Sequence, residues 1–419
     1  MTALTVKDKL CQLTTEKKYL AGEYADPAVL FDTTELNELN CRLSENQGGH
    51  CLLREKRFPV NFTHSKEIGQ FLKISPQDFN LLGKAVLFND IHPVKVIFID
   101  TETTGLAGGT GTYVFLIGLG FFTDEAFFIR QILMPDFSQE SALLVELERI
   151  IADRNAIISF NGKSYDIPLL KTRFLLHKMQ HHLPDAHLDL LHTSRRLWKN
   201  IYNDCSLQSL EKNVLGFSRL GDVEGSEIPG IYFNFLRDRR LAELKSIFQH
   251  NAIDLLSLVS ISIKAWRAFS SADGSNDIRF DRKGVISSLE SLKLFELAAK
   301  RCETFTASAK DGRRNYFLLK QSMNLKKAGK IGSAAELWSK MITNGYGFTP
   351  DAYIELAKYY EHKLHDYEAA LACVNKLERR IALNRELGND PVDDFLLLDL
   401  PLRKNRIMGK MSKRAYGKH

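Results

Sequence analysis

The stretch Val94–Thr104, VKVIFIDTETT, decides the fold. Its apolar run, Val94, Val96, Ile97, Phe98 and Ile99, reads as a buried β-strand that delivers two carboxylates, Asp100 and Glu102, at its end. Side chains two apart on a strand point to the same face, so both carboxylates converge on one point. Unpaired there, they repel each other and cost desolvation, and a divalent cation between them relieves both. A metal site is therefore the first expectation.

Working outward, a glycine-rich turn, Gly105–Gly111, leads to strands over Tyr113–Phe121 and Ala126–Leu133. The short links predict antiparallel neighbours. Ser138 opens an amphipathic helix, a fourth strand covers Ala156–Phe160, and a fifth falls around His187–Leu190. The sum is an α/β fold, a mixed sheet flanked by helices. The glycine-rich turn lacks the Lys-Ser/Thr ending of a phosphate-binding loop and opens no helix with GxGxxG, so it reads as tight backbone beside a ligand.

Two more acids stand where strand or helix ends would bring them near the first pair. Asp166 lies early in a helix after Asn161–Pro168 (NGKSYDIP), where capping the helix is the ordinary alternative. Further on, His250 and Asp254 in HNAIDLL are four apart, on one helix face with Cβ atoms roughly 5–6 Å apart. A surface i,i+4 pair is the alternative there.

DTETTG at 100–105, NGKSYDIP at 161–168 and HNAID at 250–254 resemble the three exonuclease motifs of the DEDD superfamily, built on a ribonuclease H-like fold. More closely, FIDTETTGLAGGTGTYVFLIGLG, LDLLHTSRRLW and GSEIPGIYF resemble the YprB-like ribonuclease H-like proteins, regarded as candidate exonucleases. The likeness covers about residues 95–268, and the family's tetratricopeptide-like C-terminal part extends it. It implies that Asp100, Glu102, Asp166 and Asp254 ligate two metal ions, Mg2+ or Mn2+, and that His250 is the general base. It also implies that Thr103, Thr104 and Leu106 touch the terminal nucleotide. The histidine-type branch places its histidine five residues before the last Asp and the tyrosine-type branch its tyrosine four before; here histidine stands at the tyrosine spacing.

That chemistry suits the residue types themselves. Phosphodiester hydrolysis needs an activated water and charge neutralisation at phosphorus, which two hard cations supply, and carboxylates are the ligands such cations prefer. A histidine beside them titrates near neutral pH. Other polar residues read more plainly: Asp189 as a strand-end cap of the next helix, Ser206 as an N-cap, His187 and His192 as packing or surface residues, and Lys163 as solvated or touching a phosphate.

Composition sets the limits. The 419 residues, 44% hydrophobic and 26% charged, predict two or three globular domains. No apolar stretch approaches the roughly 20 residues a spanning helix needs, and the charged N-terminus lacks a signal-peptide core. The six scattered cysteines predict reduced thiols and a cytoplasmic location. The net charge of +6 belongs to the end of the chain: without Pro401–His419, 50 bases face 51 acids. Such a basic tail either reaches for phosphates or is simply solvated.

The expected organisation is an N-terminal extension packing on the core (1–92), a ribonuclease H-like domain (93–269), a polar linker (270–284), tetratricopeptide-like helical repeats (285–400) and the basic tail (401–419). The repeats rest on an offset of 35 that sets Ala334 over Ala369 and Ala335 over Ala370. They would either offer a groove to a protein partner or shield the nuclease domain. The expected function is a metal-dependent 3′→5′ exonuclease acting on RNA or DNA, with no membrane association. The rivals are an idle nucleic-acid- or protein-binding scaffold, which has no physical reason to keep four acids together, and an endonuclease on the same metals.

Overall fold

The computed structural model describes residues 31, 33–105, 110–270, 279–309, 311–343, 348–388 and 394–416. They form two compact units, the first running to Ser270 and the second beginning at Arg282. Residues 279–281 belong to the first: Trp198 Nε1 donates to the Arg279 carbonyl (3.1 Å), and Asp281 N–H to that of Leu197 (2.7 Å).

Seven strands make the sheet of the first unit: β1 (Cys41–Asn46), β2 (Gly49–Pro59), β3 (Val96–Thr103), β4 (Val114–Phe122), β5 (Ala126–Leu133), β6 (Ala156–Ser159) and β7 (Ala186–Asp189), in the order β1-β2-β5-β4-β3-β6-β7. From β1 to β3 all neighbours are antiparallel, β1–β2 and β4–β5 through short links; β6 and β7, each reached through a helix, run parallel to β3. Parallel strands bring their C-terminal ends to one edge of the sheet. The carboxylates of β3 and the turn after β6 meet there. The helices are α1 (Thr33–Glu38), α2 (Pro76–Gly83), α3 (Glu140–Ile151), α4 (Asp166–Leu176), α5 (Leu190–Trp198), the single turn α6 (Leu207–Leu210), α7 (Ile228–Asp238) and α8 (Lys245–Ser270).

Alternation along β3 sorts its side chains. Ile97 and Ile99 enter the core formed with Leu143, Leu147, Leu170 and Phe174 of α3 and α4. Phe98, on the opposite face, packs against Phe71 (5.0 Å) and Phe127 (5.9 Å). Continued past the apolar run, the period puts Asp100 and Glu102 on the Phe98 side and Thr101 on the α4 side. The long helix α8, buried on most of its faces, lies on the Phe98 side and contacts β3.

Residues 1–92 read in the sequence as an extension, yet residues 41–59 complete the sheet itself: β2 pairs with β5 from Leu52↔Leu133 to Pro59↔Ala126. The pairing partner lies some 70 residues downstream, beyond the reach of any local pattern. SPQD at Ser75–Asp78 has the pattern of a helix start, and Ser75 and Asp78 exchange capping hydrogen bonds at the head of α2.

The second unit is helical throughout its described residues: α9 (Arg282–Ser291), α10 (Phe295–Ala307), α11 (Asp311–Lys327), α12 (Ile331–Thr343), α13 (Pro350–Tyr359), α14 (Tyr367–Glu386) and α15 (Asp394–Tyr416), each packing on the next. Ala334, Ala335 and Ala370 are buried where these helices meet. Most of the linker read over 270–284 lies outside the described residues, and its last three residues already open α9.

The segment after Pro401 is no loose tail. Residues up to 416 continue α15, whose Leu400 and Ile407 are core residues. Arg403 pairs with Asp399 (2.7 Å), Lys404 with Glu378 (2.6 Å), and Arg406 and Lys410 both with Glu361 (2.9 and 2.8 Å). Several of the partner acids lie 26 to 49 residues earlier in the chain, so a local count of charge sees only the bases.

Candidate metal centre

Three elements bring the sequence-selected acids together. β3 supplies Asp100 and Glu102, the turn after β6 supplies Asp166 as the first residue of α4, and α8 supplies Asp254 with His250 one turn before it. Ligand atoms of Glu102, His250 and Asp254 lie within 4.8 Å of one another. Asp254, Glu102 and Asp166 all stand close enough to Asp100 to raise its proton affinity.

The electrostatics are those of uncompensated negative charge. Burial, then Asp254, Glu102 and Asp166, push Asp100 well above the usual carboxylate range. Burial and the neighbouring acids push Glu102 up to about 8. Asp166 is raised by burial to about 6, even though Thr101 donates to its Oδ1. Desolvation also raises Asp254, against the pull of Arg219 and His250. One guanidinium and one imidazole do not offset four carboxylates, two of them buried and two half-buried. A hard dication does, and the all-oxygen and imidazole donors fit one.

Asp100, Asp166 and Asp254 are held by partners that local sequence does not announce. Asn251 Nδ2 donates to Asp100 Oδ2 (2.8 Å); Asn251 Oδ1 in turn accepts from Gln131, whose own Oε1 accepts from Arg54 of β2 (2.9 Å). Gly118 of β4, paired with Asp100, makes this approach possible, because a Cβ there would stand 2.1 Å from Asn251 Oδ1. Gly162 has a comparable role in the turn before Asp166: its Cβ would stand 2.4 Å from Ser159 Oγ. Asp189 caps α5, as expected, and also accepts from the backbone N–H groups of Asn161 (2.8 Å) and Lys163 (3.1 Å), fixing that turn.

The residues that sequence reading missed outright are Arg219 and Asp222. Arg219, half-buried, donates to Asp254 Oδ1, to Glu211 (2.6 Å) and to Asp222 (2.9 Å). Asp222 Oδ2 lies 2.8 Å from His250 Nδ1. Both come from a connection between α6 and α7 whose FSRLGD carries no periodic signal.

Thr103 and Thr104 are buried. Thr103 Oγ1 donates to Gly105 O (2.9 Å) beside the Tyr165 hydroxyl (3.0 Å), and Thr104 Oγ1 accepts from Tyr113 N–H (3.0 Å). Leu106 lies outside the described residues. His187 is buried against Ser159 (2.7 Å), with its pKa lowered by burial to about 4; Ser206 is the N-cap of α6; Lys163 is exposed.

A cavity of about 680 Å³ lies beside the turn that carries Asp166. Phe160, Asn161, Arg195, Lys199, Asn203 and Ser206 line part of it, and none of the four carboxylates does. Among the described residues no helix is long and apolar enough to cross a membrane.

A family model described as the RNase_H superfamily matches residues 97–266. Over 329 residues the chain is 31% identical to the uncharacterized protein YprB of Bacillus subtilis (strain 168), an alignment that spans 77% of this chain and 79% of that protein.

Proposed function

The chain belongs to the family of YprB, whose ribonuclease H-like domain it carries, and from that premise we propose that it is a divalent-cation-dependent nuclease, a 3′→5′ exonuclease of the DEDD type. The observation that carries this reading is the set of four carboxylates, on three elements, that desolvation raises above the usual carboxylate range, with repulsion from the other members adding to it at Asp100 and Glu102. Asp100, Glu102, Asp166 and Asp254 would hold two ions, Mg2+ or Mn2+. Bound there, such ions supply an activated water and neutralise charge building at phosphorus.

The protein's own groups do the rest. Asn251 and Thr101 fix the orientation of Asp100 and Asp166. His250 presents Nε2 toward Asp254, beside the place where that water would stand. Thr103, at the end of β3, and Thr104 just after it, each held by a hydrogen bond, would shape the floor on which the terminal nucleotide rests, and Leu106 would contact it too. Arg195 and Lys199, exposed beside Phe160, give the rest of a single strand two cations and a ring. The helices of the second unit, paired as in tetratricopeptide repeats, would serve a protein partner, and the whole works in the cytoplasm.

The test is to incubate the full chain with end-labelled single- and double-stranded RNA and DNA in Mg2+, Mn2+ or chelator. A ladder shortening from the 3′ end, absent in chelator, is the expected result. Internal fragments would replace exonuclease by endonuclease, and intact substrate under every condition would remove the nuclease reading.

A further inference from the structure

The sequence reading makes His250 a general base. The geometry around it points elsewhere: we infer that His250 Nε2 is a metal ligand which, with Glu102 and Asp254, forms a mixed imidazole–carboxylate site that selects a transition dication such as Mn2+ over Mg2+. The inference deepens the reading of the carboxylates as a cation site, but it does not require that the site hydrolyse anything.

Three observations carry it. The first is spacing. Histidine and aspartate at i and i+4 on α8 share one face, and here Nε2 stands 3.6 Å from Asp254 Oδ2. That is long for a hydrogen bond. Two atoms each about 2.1 Å from a shared cation stand roughly 3.0–3.6 Å apart. The one-residue departure from the histidine-type exonuclease spacing thereby gains a physical reason, since it turns two neighbouring side chains into a chelating pair.

The second is the ring's orientation. Nδ1 lies 2.8 Å from Asp222 Oδ2 and 3.4 Å from Arg219 Nη1. The carboxylate is the closer partner and can only accept, so Nδ1 carries the hydrogen and Nε2 keeps its lone pair. Nε2, on a side chain 9% exposed, has no hydrogen bond among the described residues and faces Glu102 and Asp254. A carboxylate on the far nitrogen is the usual means of orienting a metal-bound imidazole.

The third is the division of labour on Asp254. Its Oδ1 accepts from Arg219, while Oδ2 is turned toward His250. Arg219 also holds Asp222 and Glu211. One guanidinium thus fixes both carboxylates that flank the imidazole, leaving one oxygen and one nitrogen directed at the same point. Imidazole is a poor ligand for Mg2+, which prefers oxygen and water, and a better one for borderline transition ions.

The experiment uses the full chain, stripped with chelator and titrated with Mn2+ or Mg2+ in a calorimeter, with pulsed electron paramagnetic resonance on the Mn2+ form. The parent is expected to bind Mn2+ more tightly than Mg2+ and to show a directly coordinated 14N. His250→Ala should lose that coupling and about 10- to 100-fold or more of Mn2+ affinity, with a smaller loss for Mg2+. Asp222→Leu should keep the nitrogen coupling and lose roughly 10-fold or more of Mn2+ affinity. Circular dichroism in chelator checks that both variants fold; if either does not, the parent's 14N spectrum alone decides. A parent that binds Mn2+ without coordinated nitrogen, or does not bind it, overturns the inference and returns His250 to the role of base. Nitrogen coordination in a protein that cleaves no nucleic acid sustains the inference while the nuclease reading falls.

Discussion

Two glutamates in this molecule, Glu102 half-buried and Glu361 buried, lose water in opposite settings. Glu102, in the sheet unit, faces other carboxylates and is pushed up to about 8 by desolvation and their charge. Glu361, in the helical unit, has a side chain with no exposure; burial alone would raise it, but hydrogen bonds from Arg406 and Lys410 outweigh burial and hold it at about 2. Burial costs both of them solvation. The second unit answers that cost with its own cations and so gains a staple between α15 and the turn after α13. The first leaves the cost largely unanswered at one edge of its sheet, which is how a protein reserves a place for a cation from outside.

The most drastic way to break the contrast is to remove charge where it is uncompensated. Asp100→Asn or Glu102→Gln should reduce cation-dependent hydrolysis to background, yet in chelator each variant should melt no lower than the parent, because a source of repulsion has gone. Gel assay and calorimetric melting read the two halves separately. Parental cleavage by either variant would show that the carboxylate in question holds no cation.

Glu361→Gln tests the compensated member and should act in the opposite sense. Activity per folded molecule should be unchanged, while the helical unit loses about 1–3 kcal/mol, discounted because Arg406 and Lys410 still reach water. The pH dependence follows the lowered pKa. Stability from Glu361 is fully present above its unfolded value, 4.5, and is lost as pH falls toward about 2. Urea melts of parent and variant should therefore differ at pH 7 and converge at acid pH. Curves that stay parallel down to pH 3 would remove the staple.

The smallest effect sharpens the question of where positive charge is left for a substrate. Arg195→Ala with Lys199→Ala should weaken single-strand binding in chelator and flatten its salt dependence, by about 0.7 in logarithmic slope for each phosphate no longer neutralised. Neutralising Arg406 and Lys410, already engaged by Glu361, should leave that slope unchanged. If the two pairs exchanged behaviour, the strand would run over the helical unit instead.

The division between legible and illegible follows sequence separation. Asp100, Glu102, Asp166, His250 and Asp254 sit in short patterned segments, a strand end, a helix start and a helix face, where period alone says which way a side chain points. Arg219 and Asp222 lie in an irregular connection, and only the folded chain brings them to residues some 30 positions away. Asn251 was in plain view within HNAID, but its hydrogen bond to Asp100 depends on the missing side chain of Gly118, more than 130 residues earlier. Gly48–Asn61 has strand-like character in the sequence, but its pairing with β5 stayed hidden for the same reason, as did the acids that turn a basic tail into a packed helix.

The place of β2 in the sheet bears on how the domain can be divided. A fragment starting near residue 93, where the sequence motifs begin, would leave the edge of β5 open to pairing with other chains, a standard route to aggregation. It would also take Arg54 from Gln131 and leave that buried amide oxygen without its donor, at the far end of the hydrogen-bonded series that runs through Asn251 to Asp100. A form of this domain cut to begin after β2 is therefore expected to lose its solubility and the footing of its first carboxylate together.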